Sequence, residues 1–72
     1  MRTFDDVITA FGGPARFAEA IGIKPFHAQT MKTRGSIPPA YWTRVVKAAT
    51  ARGIKGITLE SLARIAEARG AA

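Results

Sequence analysis

The sequence predicts an all-α domain, a compact set of four or five short helices. Apolar residues recur at helical spacing in successive windows, proline and glycine stand where helices would open and close, and nothing alternates with period two for long enough to read as a strand. No internal repeat is visible, and 72 residues, 1–72, amount to one domain at most.

Phe4, Val7, Ile8 and Phe11 fall at i, i+3, i+4 and i+7, the buried face of a first helix. Thr3 supplies a capping hydroxyl, Asp5 and Asp6 lie at the positive end of the dipole, and Gly12-Gly13 ends the helix. Pro14 suits the first turn of a second helix, where its missing N–H costs nothing. Phe17, Ala18 and Ile21 form that helix's apolar side, and Gly22 is its left-handed stop. Pro25 opens a third helix that runs to Thr33, with Ala28 and Met31 as its inward pair. Arg34-Gly35-Ser36-Ile37-Pro38-Pro39 reads as a loop, because a residue before proline is pushed out of the helical region. A fourth helix is expected from about Pro39 to Arg52. Trp42, Val45, Val46 and Ala49 share one of its faces, which makes Trp42 a core residue rather than a stacking platform. Thr58 caps a fifth helix over 58–69, with Glu60 in its first turn and Leu59, Leu62, Ala63 and Ala66 as a stripe that Ile65 widens.

Composition excludes several classes. There is no cysteine, so neither disulfides nor thiolate-held metal can staple the fold. An apolar share of 47% argues against disorder. No apolar run approaches a membrane span, and Asp5-Asp6 stand where a signal peptide would be apolar, so a cytoplasmic, nucleoid-associated protein is expected. Five scattered acids and the single His27 give no catalytic pair, no glycine-rich phosphate loop and no metal constellation. The expectation is a protein that is not an enzyme, with no metal, cofactor or small-molecule ligand.

Charge points to a partner. Eleven Lys and Arg oppose five Asp and Glu, a formal +6. Between Glu19 and Glu60 there is no acid, yet Lys24, Lys32, Arg34, Arg44, Lys47, Arg52 and Lys55 all fall there. Such a segment attracts a polyanion through Coulomb attraction and counterion release.

Two short helices joined by a tight glycine turn, over about 14–33, match a helix-turn-helix. Ala18, four before Gly22, is small enough to let the helices cross, and Ile23 plugs the core after the turn. The third helix then presents Lys24, Pro25, Phe26, His27, Gln29 and Thr30 as candidates for base contact in a major groove. Gln29 can pair bidentately with adenine. Phe26 has two options: contact with a thymine methyl, or folding back onto helix two. Arg16, Lys32, Thr33, Arg34, Ser36 and Arg44 are candidates for phosphate contact, which positions a protein without reading sequence. Arg34 has the alternative of satisfying carbonyls at a helix end. Arg16 lies beside N–H groups from Gly13 to Phe17 expected to form an anion site.

At Phe17-Ala18-Glu19-Ala20-Ile21-Gly22-Ile23, followed by Arg34-Gly35-Ser36-Ile37-Pro38, the chain resembles the Cro and C1-repressor-like family of phage-type helix-turn-helix proteins. The likeness covers roughly Phe4 to Val46, and it extends to small variants in which Arg-Gly-x-Ile-Pro runs into an aromatic helix, here Tyr41-Trp42. Two positions depart from the pattern. Ala28 and Met31 replace a larger aliphatic and a Trp, and Lys24-Pro25 replaces the usual Ser or Thr cap. The resemblance implies a lambda-repressor-like fold and a transcriptional regulator, usually a repressor, that binds a double-stranded DNA operator as a symmetric homodimer. Ile57, Leu59, Leu62 and Ile65 are the candidate pairing surface on and before helix five. The alternative is an antitoxin-like or adaptor module that uses helix five against a protein partner.

Overall fold

A computed structural model describes residues 2–70 as five α-helices with a short 3-10 turn before the fourth. In order they are α1 (Phe4–Ala10), α2 (Pro14–Ile21), α3 (Pro25–Arg34), a 3-10 turn (Pro39–Tyr41), α4 (Trp42–Ala51) and α5 (Leu59–Gly70). No strand occurs among the described residues.

Local chemistry sets the boundaries. At α1 the Thr3 hydroxyl accepts from the Asp6 N–H at 3.1 Å, while the Asp6 carboxylate accepts from the backbone N–H groups of Arg2 at 3.0 Å and Thr3 at 3.2 Å. The Arg2 N–H is the main reason the Asp6 carboxyl titrates below its ordinary value, with the Thr3 donors adding to it. At α5 the same device uses serine. Thr58 Oγ1 accepts from the Ser61 N–H at 3.0 Å, and Ser61 Oγ accepts from the Thr58 N–H at 2.9 Å. Both α2 and α3 begin on proline and end on a left-handed glycine, Gly22 (φ 74°) and Gly35 (φ 66°). A side chain at either glycine would strain a backbone that the Gly22 and Ile23 N–H groups close onto the Ala18 carbonyl, and the Ser36 N–H onto that of Met31.

Each helix contributes one face to a single core. Phe4, Val7, Ile8, Phe17, Ala18, Ile21, Ala28, Met31, Ile37, Val45, Ala49, Ile57, Leu62 and Ile65 are buried together, and no polar side chain among the described residues joins them. Phe11 meets Phe17 edge-to-face at 5.3 Å. Trp42 lies against Phe4 at 6.3 Å and donates its indole N–H to the Ile37 carbonyl at 2.8 Å. It is half-buried, because a ring whose polar edge must reach a loop carbonyl cannot sink fully. That bond fastens the 35–38 loop to α4. The expected helix from Pro39 begins instead as a 3-10 turn, consistent with two adjacent prolines that supply no N–H to an α ladder.

The α2–α3 contact rests on two alanines, Ala18 and Ala28, both essentially without solvent exposure. Ala28→Leu is therefore expected to destabilise the domain by about 1–3 kcal/mol through overpacking. The thermal midpoint should fall by roughly 4–8 °C for each kcal/mol in a domain of this size. An unchanged midpoint would show that the crossing has room to spare.

Candidate nucleic-acid interface

Helix α3 buries only Ala28 and Met31. Lys24 before it and Pro25, Phe26, Gln29, Thr33 and Arg34 along it are exposed, while His27, Thr30 and Lys32 are half-buried. Phe26 is 82% exposed, so of its two options folding back onto α2 does not occur. The cause is angular. At 3.6 residues per turn, position 26 stands about 200° around the helix from position 28, away from the core. The result is a convex, largely polar helix face carrying one large unburied aromatic ring.

Several side chains on this face are already engaged. Thr30 Oγ1 donates to the Phe26 carbonyl at 3.1 Å, so its hydroxyl offers acceptor capacity and no free proton. His27 packs edge-to-face on Tyr41 at 5.3 Å, and the Arg44 guanidinium lies 5.6 Å from the centre of the same ring. Tyr41 thus brings the start of α4 to the flank of α3 and carries Arg44 with it, a cation–π arrangement. Lys32 was expected to be a free phosphate ligand. Instead its Nζ meets Asp5 Oδ1 at 3.0 Å across the neighbouring helices α1 and α3. An anion would have to compete with Asp5 for Lys32. Arg16 is exposed at the start of α2, but the anion site expected around it is smaller than the sequence implied. The Gly13 N–H donates to the Ile8 carbonyl, the Phe17 N–H to Gly13, and Pro14 has none.

Arg34, Ser36, His27 and Thr30 line one hollow of about 440 Å³ at the C-terminal half of α3. Their companion is Arg69, whose guanidinium reaches from the end of α5 to donate to the Arg34 carbonyl at 3.2 Å. Sequence reasoning left Arg69 out. Its only signal was a basic residue near a helix end, and the partner lies 35 positions away. A larger hollow of about 530 Å³ lies between residues 2–5 and α5, and no α3 side chain lines it.

The pairing surface expected at helix five is mostly absent. Ile57, Leu62 and Ile65 are buried at 4%, 0% and 6% exposure, and only Leu59, at 52%, faces outward. A chain this short needs nearly all its large apolar side chains to close its own core. Replacing Ile65 with a charged residue would attack the fold rather than an interface. Among the described residues no cluster of three His, Cys, Asp or Glu side chains is placed to hold a metal, and no helix is long and apolar enough to cross a membrane. Comparison with protein-family models, curated proteins and solved structures gave no match for this chain.

Proposed function

We propose that this protein is a sequence-specific double-stranded DNA-binding regulator that reads a major groove with α3 and acts by occupying its site, most simply as a repressor. The observation that carries the reading is the α3 surface itself. An exposed helix of hydrogen-bonding side chains is spent on almost no core packing, is held at the correct end by a left-handed turn, and is flanked by Arg34, Arg44 and Lys24. A helix-turn-helix needs such a convex helix with cations on either side. The resemblance of the Phe17–Ile23 and Arg34–Pro38 segments to phage-type repressors agrees with it.

Roles divide by chemistry. Gln29 stands in the middle of the exposed face with both amide donors and its carbonyl available to an adenine edge. Phe26, one turn earlier, offers an apolar surface to a thymine methyl. Arg34 and Arg44 are placed for phosphates. Because one helix spans only a few base pairs, selective occupancy calls for two copies on adjacent half-sites about one helical turn apart. The buried α5 residues supply no pairing surface for those copies.

The test compares two variants. Gln29→Ala is expected to weaken a preferred duplex by about 1–3 kcal/mol while leaving random duplex nearly unchanged. Arg34→Ala is expected to weaken both alike. Equilibrium titration of each variant against both duplexes reads the difference. Uniform loss in Gln29→Ala with altered base preference in Arg34→Ala would reverse the assignment.

A further inference from the structure

The hollow beside α3 combines cations from two distant parts of the chain and no acid. Its polar lining is His27, Thr30, Arg34, Ser36 and Arg69. The ion pairs among the described residues are Lys32–Asp5 and Arg64–Glu60, so neither Arg34 nor Arg69 has a carboxylate partner. Two guanidinium groups facing one hollow without a counter-charge repel each other, and an anion between them removes that cost. Arg69 is fixed there by its bond to the Arg34 carbonyl, one of the carbonyls a helix leaves unpaired at its C-terminus. One arm of its planar fork is thereby used, and further N–H donors remain for an incoming oxygen.

We propose that this hollow seats one backbone phosphate of a bound duplex, gripped by Arg34 and Arg69, with the Ser36 hydroxyl as a further donor. The proposal rests on the DNA-binding reading above and deepens it in two ways. It makes α5, through Arg69, part of the interface. It also assigns His27 and Thr30 to the wall of a phosphate seat rather than to base reading, in keeping with the Thr30 hydroxyl proton already spent on Phe26. A phosphodiester suits the seat because its two charged oxygens diverge from a tetrahedral phosphorus, so each can accept from a guanidinium on a different element.

The experiment uses the full chain and three variants, Arg69→Ala, Arg69→Gln and Arg69→Lys, titrated against duplex DNA over a range of salt. Arg69→Gln keeps an uncharged N–H donor on a shorter side chain and removes the charge. The expected result for Arg69→Ala and Arg69→Gln is roughly tenfold weaker binding at low salt, equal for preferred and random duplex. With Arg34 left at the seat, the slope of log affinity against log salt should become shallower by a part of the roughly 0.9 that one phosphate is worth. Arg69→Lys should retain the wild-type slope. In a duplex carrying single methylphosphonates, neutralising one position should weaken the wild type more than Arg69→Gln, in which Arg34 alone still holds that phosphate. Three results overturn the proposal. A steep slope unchanged by Arg69→Gln sinks the phosphate seat and leaves the DNA reading standing. Wild-type protein that fails to bind duplex sinks both. Inorganic phosphate that shifts the Ser36 and Arg69 amide resonances as fully as duplex does would assign the hollow to a free anion.

Discussion

Raising monovalent salt from about 50 to 200 mM is expected to weaken duplex binding about a hundredfold per copy, through the loss of counterion release. The size follows from which cations the fold leaves available. Lys24, Arg34 and Arg44 are exposed on or beside the α3 face, Arg16 is exposed at the start of α2, and Arg69 is brought to α3 by α5, whereas Lys32 is held by Asp5. With Arg34 and Arg69 sharing one phosphate, about four phosphates per copy give a slope near −3.6 in log affinity against log salt. Fluorescence anisotropy with a labelled duplex at four salt concentrations measures it. A slope near zero would remove the electrostatic basis of the interface. A slope of about −4.5 would mean that Asp5 releases Lys32 when DNA is present.

Phe17→Ala is expected to lower the thermal midpoint by more than 10 °C on the scale of about 4–8 °C per kcal/mol. Phe17 is fully buried where α2 meets the rest of the core, edge-to-face with Phe11. Truncating such a ring costs about 3–5 kcal/mol, since the cavity it leaves collapses only partly. Domains hold roughly 0.05–0.15 kcal/mol per residue, about 4–11 kcal/mol for this chain, so that loss consumes from about a third to all of the total. Helical circular dichroism on heating is the readout, with Phe26→Ala as its counterpart. Phe26 touches no core, so its truncation should shift stability by no more than about 0.5 kcal/mol. The contrast separates an aromatic ring kept for packing from one kept at the surface for another purpose. A cooperative transition in Phe17→Ala within a few degrees of the wild type would mean that the core is not organised around this ring.

The elements were legible wherever backbone chemistry is local. Proline at first turns and glycine at left-handed stops bounded α2 closely and α3 to within one residue, and Thr3 and Thr58 marked the capped starts of α1 and α5. Periodicity identified the inward residues Ala28 and Met31, and hence by subtraction the outward face on which Gln29 lies. What the sequence did not disclose depends on the third dimension. An apolar stripe on α5 has the same spacing whether it closes a core or meets a second copy. The packing of α5 against α4 and of Ile57 into the cluster decided for the core and left Leu59 and Ala63 outside. Phe26 had two physically reasonable positions, and only the register of α3 on α2 chose between them. The Lys32–Asp5 pair and the Arg69–Arg34 contact join residues far apart in the chain, and nothing in composition or spacing announces either.

Selection from a random duplex library tests the central claim, that the exposed face of α3 reads DNA sequence, most directly. Wild-type protein is incubated with randomised duplexes at moderate salt, the bound fraction is amplified and sequenced, and Gln29→Ala is carried through in parallel. The expected result is enrichment of one short motif by the wild type, with preference lost at one or two positions within that motif for Gln29→Ala while the rest of it persists. Retention of DNA without any enriched motif, or a motif identical in both proteins, would contradict base reading by α3.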